Sequence, residues 1–237
     1  MSKTFFNSKI DCTKCGYRSN SFFNCLTKSN LEALNQNKIP HLYQRGQVIF
    51  YEGNPAFAMY CIHSGRVKLY KHRKNGESQA IRLLGALDVM GYRALFANEP
   101  YSVTAEAVEP TTICTISKEE IFAILKKSPE LTLKFLSKLS KELRISEEQI
   151  LTITDESVTE RTVRLLFSLL QVSSDKSKSQ TVIKCPLSRG EMAQMVGTSP
   201  ETLSRTLHSL ERKGIITVKG HEINILNIAG LKELMKD

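Results

Sequence analysis

The stretch Leu187–Lys213, LSRGEMAQMVGTSPETLSRTLHSLERK, limits what this chain can fold into more than any other. Ser188 followed three residues later by Glu191 is a capping box, which fixes a helix start. Met192, Ala193, Met195 and Val196 give that helix an apolar face, and Gly197 suits the left-handed residue that ends it. Ser199 then caps a second helix, with Pro200 in its first turn, where the missing N–H costs nothing. The segment therefore predicts two short helices joined by a tight turn. On the second, Leu203, Leu207 and Leu210 fall on one stripe at about 100° per residue. Glu201, Ser204, Arg205, His208 and Arg212 fall on the opposite stripe.

Any surface helix needs the apolar stripe, so the polar one carries the chemistry. Arg205 can donate two parallel hydrogen bonds to the O6 and N7 of a guanine. Glu201 can accept from the N4 amine of the paired cytosine, and Ser204 is short enough to let the helix approach closely. Caps, turn and reader agree in register, which a merely solvated face has no reason to do. After Gly214, the run ITVKGHEINIL reads as two short strands around a Lys219-Gly220-His221 turn. A helix-turn-helix followed by a hairpin is a winged helix, and its expected partner is double-stranded DNA. Ser199 and Arg189 at the helix starts, His208 along the second helix and Lys219 at the wing tip complete the DNA-facing candidates. Lys219 and His221 are equally ordinary exposed turn residues.

The chain has 237 residues and a formal net charge of +9, which suits a polyanion. From Glu156 onward there are twelve Lys and Arg against nine Asp and Glu, so most of the excess lies upstream and the motif must carry the DNA argument. No apolar run approaches the roughly 20 residues that span a bilayer. The start, MSKTFFNSKID, lacks the continuous apolar segment of a secretory signal. No membrane association and a cytoplasmic location are expected, with the six cysteines as thiols, metal ligands or redox groups. No nucleophile–base pair or cofactor loop points to an enzyme.

Residues 1–30 form a cysteine-bearing extension with Cys12, Cys15 and Cys25 in a C-x2-C-x9-C pattern. Such a pair lets two thiolates reach one metal or cluster, and a fourth ligand would have to come from Cys61 or Cys114. The same cysteines also suit reduced, unliganded thiols. Residues 31–127 change to short β-type runs broken by glycine about every ten residues, with an Asn75-Gly76 turn. That spacing predicts an antiparallel jelly roll, either a small-molecule receptor or a structural platform. Residues 128–154 form a long uninterrupted helix opened by Ser128 and Pro129. Leu136, Leu139, Leu143, Ile150 and Ile153 take its a and d positions, which predicts a parallel homodimer along this helix. The competing arrangement packs that seam on the chain's own roll. Residues 155–237 begin with a further helix, Glu156 to Val172, and end in the winged helix. The predicted class is α+β: an N-terminal double-stranded β-helix, a dimerisation helix and a C-terminal winged helix-turn-helix.

This order resembles the CRP/FNR family of bacterial transcription regulators over essentially the whole chain, most specifically at SRGEMAQMVGTSPETLSR and at Glu160-Arg161. The resemblance to its FNR-like branch maps a Glu-x-x-Ser-Arg pattern onto Glu201, Ser204 and Arg205. This implies a palindromic site with TTGA-like half-sites, and RNA polymerase as a partner. Members of the family that bind cyclic AMP carry a ribose glutamate and a phosphate arginine; the aligned residues here are Tyr92 and Tyr101, which argues against cyclic AMP. The FNR branch instead holds an oxygen-labile four-iron, four-sulfur cluster on four cysteines. The resemblance implies Cys12, Cys15 and Cys114 as ligands, with Cys25 standing four residues beyond the expected third position, near Ser21. The alternative is a ligand-responsive regulator acting through the roll without a cluster, its effector a small molecule, a nucleotide or haem. His41, His63 and His72 are available for haem but form no recognisable pocket pattern.

Overall fold

The computed structural model describes residues 10–13, 21–73, 76–173 and 181–235, and of residues 149–154 and 173 the backbone alone. Asn75, and with it the predicted Asn75-Gly76 turn, lies outside the described residues.

A first helix, α1 (Lys28–Asn37), precedes the β-strands. The roll is two four-stranded antiparallel sheets. One has the order β1-β8-β3-β6, from β1 (Ile39–Tyr43), β8 (Thr111–Ser117), β3 (Ala58–Ser64) and β6 (Val89–Met90). The other has the order β2-β7-β4-β5, from β2 (Val48–Phe50), β7 (Thr104–Ala107), β4 (Val67–His72) and β5 (Ser78–Leu84). A short helix, α2 (Tyr92–Ala97), interrupts the roll after β6. Strand alternation divides β3 between two cores. Ala58, Tyr60 and Ile62 point between the sheets, while Met59 and Cys61 point outward onto α1, α3 (Lys118–Lys127) and the start of α4 (Pro129–Asp155). Gly65 turns the chain between β3 and β4 at φ +85°, where a Cβ would lie 2.5 Å from Thr111 Oγ1. Only glycine fits that close approach.

Helices α1 and α3 were not legible as separate elements. In α3, the Ser117 hydroxyl accepts from Glu120 N at 3.1 Å. Two glutamates in the first turn and two lysines in the last complement the helix dipole.

Helix α4 has 27 residues, about 40 Å at ~1.5 Å per residue. Leu131 and Phe135 are buried on the roll. Leu133, Leu136 and Leu143 are 64%, 60% and 61% exposed and form one outward row. Leu139, by contrast, packs partly against the roll, so the exposed row is rotated from the predicted seam and includes Leu133. The side chains of Ile150 and Ile153 lie outside the described residues.

Helix α5 (Val158–Ser173) opens on a second capping box. Ser157 N donates to Glu160 Oε2 at 2.6 Å, and Glu160 N to Ser157 Oγ at 3.3 Å. It leads into β9 (Val182–Lys184), α6 (Arg189–Val196), α7 (Pro200–Arg212), β10 (Ile216–Lys219), β11 (Glu222–Ile225) and α8 (Ile228–Glu233). The wing is a three-stranded sheet, β10-β11-β9, because β9 joins the predicted hairpin.

Candidate nucleic-acid interface

The two helices of the reading unit form as their caps dictate. The Ser188 hydroxyl accepts from Glu191 N at 3.2 Å, while Ser188 N donates to Glu191 Oε2 at 2.8 Å. Gly197 ends α6 at φ +73°, a left-handed backbone that a side chain would strain. Ser199 Oγ accepts from Thr202 N at 3.2 Å and starts α7, with Pro200 in the first turn.

Leu203, Leu207 and Leu210 are all buried, in one core with Met192, Ala193 and Val196 of α6 and Val163, Leu166 and Leu169 of α5. Burying three leucines is worth roughly 1.5–3 kcal/mol each. That anchors α7 so that its other stripe stands in water: Glu201, Ser204, Arg205, His208 and Arg212 are exposed. Glu201's own backbone N–H and the Ser199 hydroxyl hold its carboxyl below the usual carboxylate range, which keeps it an ionised acceptor. The Ser204 hydroxyl donates back to Pro200 O at 2.8 Å, which folds it against the helix and keeps the surface low between Glu201 and Arg205. His208 Nδ1 stands 3.1 Å from Glu211 Oε2.

Sequence reasoning missed the braces that hold this surface. Glu211 Oε1 accepts from Val218 N at 2.7 Å and ties the recognition helix to the wing. Arg189 donates to Gly220 O at 3.0 Å, so one of its guanidinium nitrogens fixes the wing tip. Lys219 and His221 are exposed beside it. Arg161, named above only for the family resemblance, donates through Nε to Val196 O at 2.8 Å and also to Glu156 O. It thus satisfies a carbonyl at the end of α6.

Of the described cysteines, Cys12, Cys25, Cys61 and Cys114 lie on one side of the roll, while Cys185 is buried in the reading unit. Cys61 and Cys114 are directly opposed on β3 and β8, so their side chains share a face. Cys12 and Cys25 pack with Cys61 against the apolar cluster covering that face. The Cys12 thiol accepts from the buried Lys38 ammonium at 2.7 Å, and Lys38 also donates to Asn35 Oδ1 at 2.8 Å. Cys15 lies outside the described residues. Among the described residues, no three His, Cys, Asp or Glu side chains come together to hold a metal ion. Cys12, Cys25 and Cys114 are therefore on one side of the roll but are not drawn together into a ligand set among the described residues.

Comparison with known proteins gives this geometry a context. Residues 40–128 match the family description "Cyclic nucleotide-binding domain", and residues 160–234 match "Crp-like helix-turn-helix domain". The chain is 30% identical over 228 residues to the fumarate and nitrate reduction regulatory protein of Vibrio cholerae, covering 95% of this chain and 90% of that protein. This chain belongs to the CRP/FNR family of transcription regulators. It is also 27% identical over 193 residues to the cyclic AMP receptor protein of Thermus thermophilus, covering 81% of this chain and 86% of that one. In fold it is similar to FixK2 from Bradyrhizobium japonicum, with a TM-score of 0.74 at 23% identity, covering 83% of this chain and 96% of that one. The family's homologues are transcription regulators, not enzymes. No described helix is long and apolar enough to cross a membrane.

In this CRP/FNR regulator the residues aligned with the cyclic AMP cassette are engaged by protein groups. Tyr101, at the position of the phosphate arginine, is 2% exposed. Its hydroxyl donates to Ala58 O at 2.7 Å and accepts from Ala58 N at 3.2 Å. Its ring stacks on Phe50 at 4.2 Å, and Phe50 stacks in turn on Tyr60 at 5.1 Å. Tyr92, at the ribose position, donates instead to Glu142 of α4 at 2.6 Å. Arg93 is engaged with Ser102 on the surface. Tyr101, where the resemblance places the phosphate arginine, is thus committed to protein contacts and carries no charge to offer a phosphate.

Proposed function

We propose that this chain acts as a homodimer in the cytoplasm and reads a palindromic operator with TTGA-like half-sites. The observation that carries the reading is the exposed Glu201–Ser204–Arg205 stripe on a helix whose opposite face is fully buried. Arg205 and Glu201 address the two bases of one G·C pair, and Ser204 admits the helix to the major groove. Ser199, Arg189, His208 and Lys219 lie around that stripe and supply contacts to the flanking backbone, which position the helix without reading sequence. The dimer forms along α4 through Leu136 and Leu143, with Leu139, Ile150 and Ile153 continuing the seam. Two-fold symmetry then spaces the recognition helices one DNA turn apart, about 34 Å. The units are the extension 1–30, the roll 31–127, the dimer helix 128–154 and the reading unit 155–237. RNA polymerase is the partner through which bound dimers change transcription. Selection from a random duplex pool tests the reading. Enrichment of a two-fold TTGA-type site is the expected result; enrichment of an asymmetric or unrelated site would overturn it.

A second reading adds control by a four-iron, four-sulfur cluster on Cys12, Cys15, Cys25 and Cys114. What favours it is that Cys12, Cys25 and Cys114 belong to one side of the roll. It requires the Cys12 thiol to leave Lys38. Iron and acid-labile sulfide analysis of protein purified without oxygen tests it, with about four iron per chain expected. Iron-free protein rules the cluster out, and iron unchanged by Cys25→Ser or Cys114→Ser rules out this ligand set.

A further inference from the structure

The reading unit does not hang from α4 by its linker alone; it is seated on the roll. Leu83 of β5 and Val108 are buried in the same core as Met192, Ala193 and Val196 of α6. At Gly85, just past β5, a Cβ would lie 2.9 Å from Val172 Cγ1, so the end of α5 approaches the roll at backbone distance. Around this apolar seat stands a set of polar contacts specific in direction. Lys68 of β4 pairs with Glu191 at 2.6 Å and with Glu106 of β7 at 3.5 Å. Arg66, held by both carboxylate oxygens of Glu109, donates to Lys184 O in the wing sheet. Gln194 makes two bonds to β5: its side chain accepts from Ala80 N at 2.9 Å, and its carbonyl accepts from Gln79 Nε2 at 2.6 Å.

The partner of these contacts is an edge strand. β5 ends its sheet, so its outward backbone groups need a partner, and Gln194 supplies one. Glu191 and Gln194 are three residues apart and so share one face of α6. Burial opposes the charge on Glu191, but Lys68 and Ser188 outweigh it and keep the carboxyl below its usual range. Farther along β5, Arg82 pairs with Glu142 of α4 at 2.8 Å. Glu142 also accepts from Tyr92 and pairs with Lys138 at 3.4 Å. One strand thus holds both the reading unit and the dimer helix. In this pose Glu201, Ser204 and Arg205 remain exposed.

We infer that β4 and β5 of the roll are a positioning platform for DNA reading, in which Lys68 and Gln79, through Glu191 and Gln194, set the angle of α7 relative to the dimer axis. The inference rests on the dimeric reading proposed above. Two linked heads bind a palindrome with an effective concentration that depends on how well their spacing is pre-set. Loosening the seat lowers that concentration but leaves each head's own contacts intact.

The test compares full-length protein on two duplexes by fluorescence anisotropy. One carries the palindrome and the other a single half-site. In Lys68→Ala combined with Gln79→Ala, palindrome affinity falls about tenfold, well within the range of linkage effects, while half-site affinity holds. Glu191→Gln, which preserves the capping box but not the ion pair, shifts the same ratio in the same direction. Lys68→Arg restores it. An unchanged ratio, a rise in palindrome binding, or equal loss on both duplexes overturns the inference. If the unmutated protein shows no preference for the palindrome over the half-site, the dimeric reading itself fails, and the positioning role fails with it.

Discussion

In the interior of the roll, the Tyr101 side chain is turned inward and satisfied by protein. On α7, the polar side chains are turned outward and left in water. Tyr101 bonds Ala58 twice and stacks on Phe50. Arg205 and Glu201 sit four residues apart on an exposed face, over leucines that carry all of the helix's packing. The two regions differ in what they leave free. A packed interior tolerates no void, so Tyr101 is held on every side. The polar stripe of α7 has only water over it.

The largest effect follows from the first half of this comparison. Tyr101→Ala removes a buried ring and two hydrogen bonds to Ala58, so it costs about 3–5 kcal/mol, as other aromatic truncations in cores do. In a chain of this size that lowers the melting temperature by roughly 10 °C. Cyclic AMP produces no thermal shift in the unmutated protein. A shift on adding the nucleotide, or a melting temperature unmoved by Tyr101→Ala, would show that this interior is a receptor after all.

The same contrast explains how much was legible from sequence. The reading unit is built from short-range rules: Ser188 and Glu191, Ser199 and Thr202, and leucines at helical spacing are all neighbours in the chain, and the structure forms those caps and that buried stripe. The roll's filling is built from residues far apart. Loss of the arginine is visible at Tyr101, but its stacking on Phe50 and its bonds to Ala58 depend on closure of two sheets. The contacts of Gln194 with Gln79 and Ala80 cross more than a hundred residues, and nothing local marks them. Helix α1 escaped because only Leu31 and Leu34 of its ten residues are buried, too few for a periodic signal. On α4 the row through Leu131 and Phe135 is buried on the roll, while of the proposed seam Leu136 and Leu143 stand exposed in the single chain. Leu139 went partly to the roll, and Leu133 to the outside.

That exposed row gives the next effect. Leu136→Glu with Leu143→Glu places two charges on a face that is about 60% exposed in the single chain and buried in the proposed dimer. Sedimentation equilibrium is expected to show the dimer dissociation constant raised at least a hundredfold, about 2.7 kcal/mol, with the melting of the roll unaltered. A dimer of unchanged strength would move the interface elsewhere.

Arg205→Ala comes third. It removes the bidentate donor to guanine and is expected to cost about 1–3 kcal/mol on the cognate site. The loss belongs to one G·C pair per half-site. On an operator already changed at that pair, the variant and the unmutated protein should bind alike. Equal weakening on every sequence would mean that Arg205 holds phosphate rather than reading a base.

The smallest effect separates positioning from reading within the same unit. Lys219 stands exposed at the wing tip, next to Gly220, whose carbonyl Arg189 holds. A lysine fixed there neutralises one phosphate and carries no sequence information. Lys219→Ala should therefore weaken cognate and altered operators by the same factor, and leave the preference set by Arg205 intact. Its clearest mark is in salt. Each phosphate contact contributes about 0.9 to the slope of log affinity against log salt concentration, so the slope per wing falls by about that much. Affinity titrations at several salt concentrations measure it directly. An unchanged slope would leave Lys219 as an ordinary turn residue, with Arg189 serving as a brace for the hairpin. A change in base preference would instead extend the reading surface from α7 onto the wing.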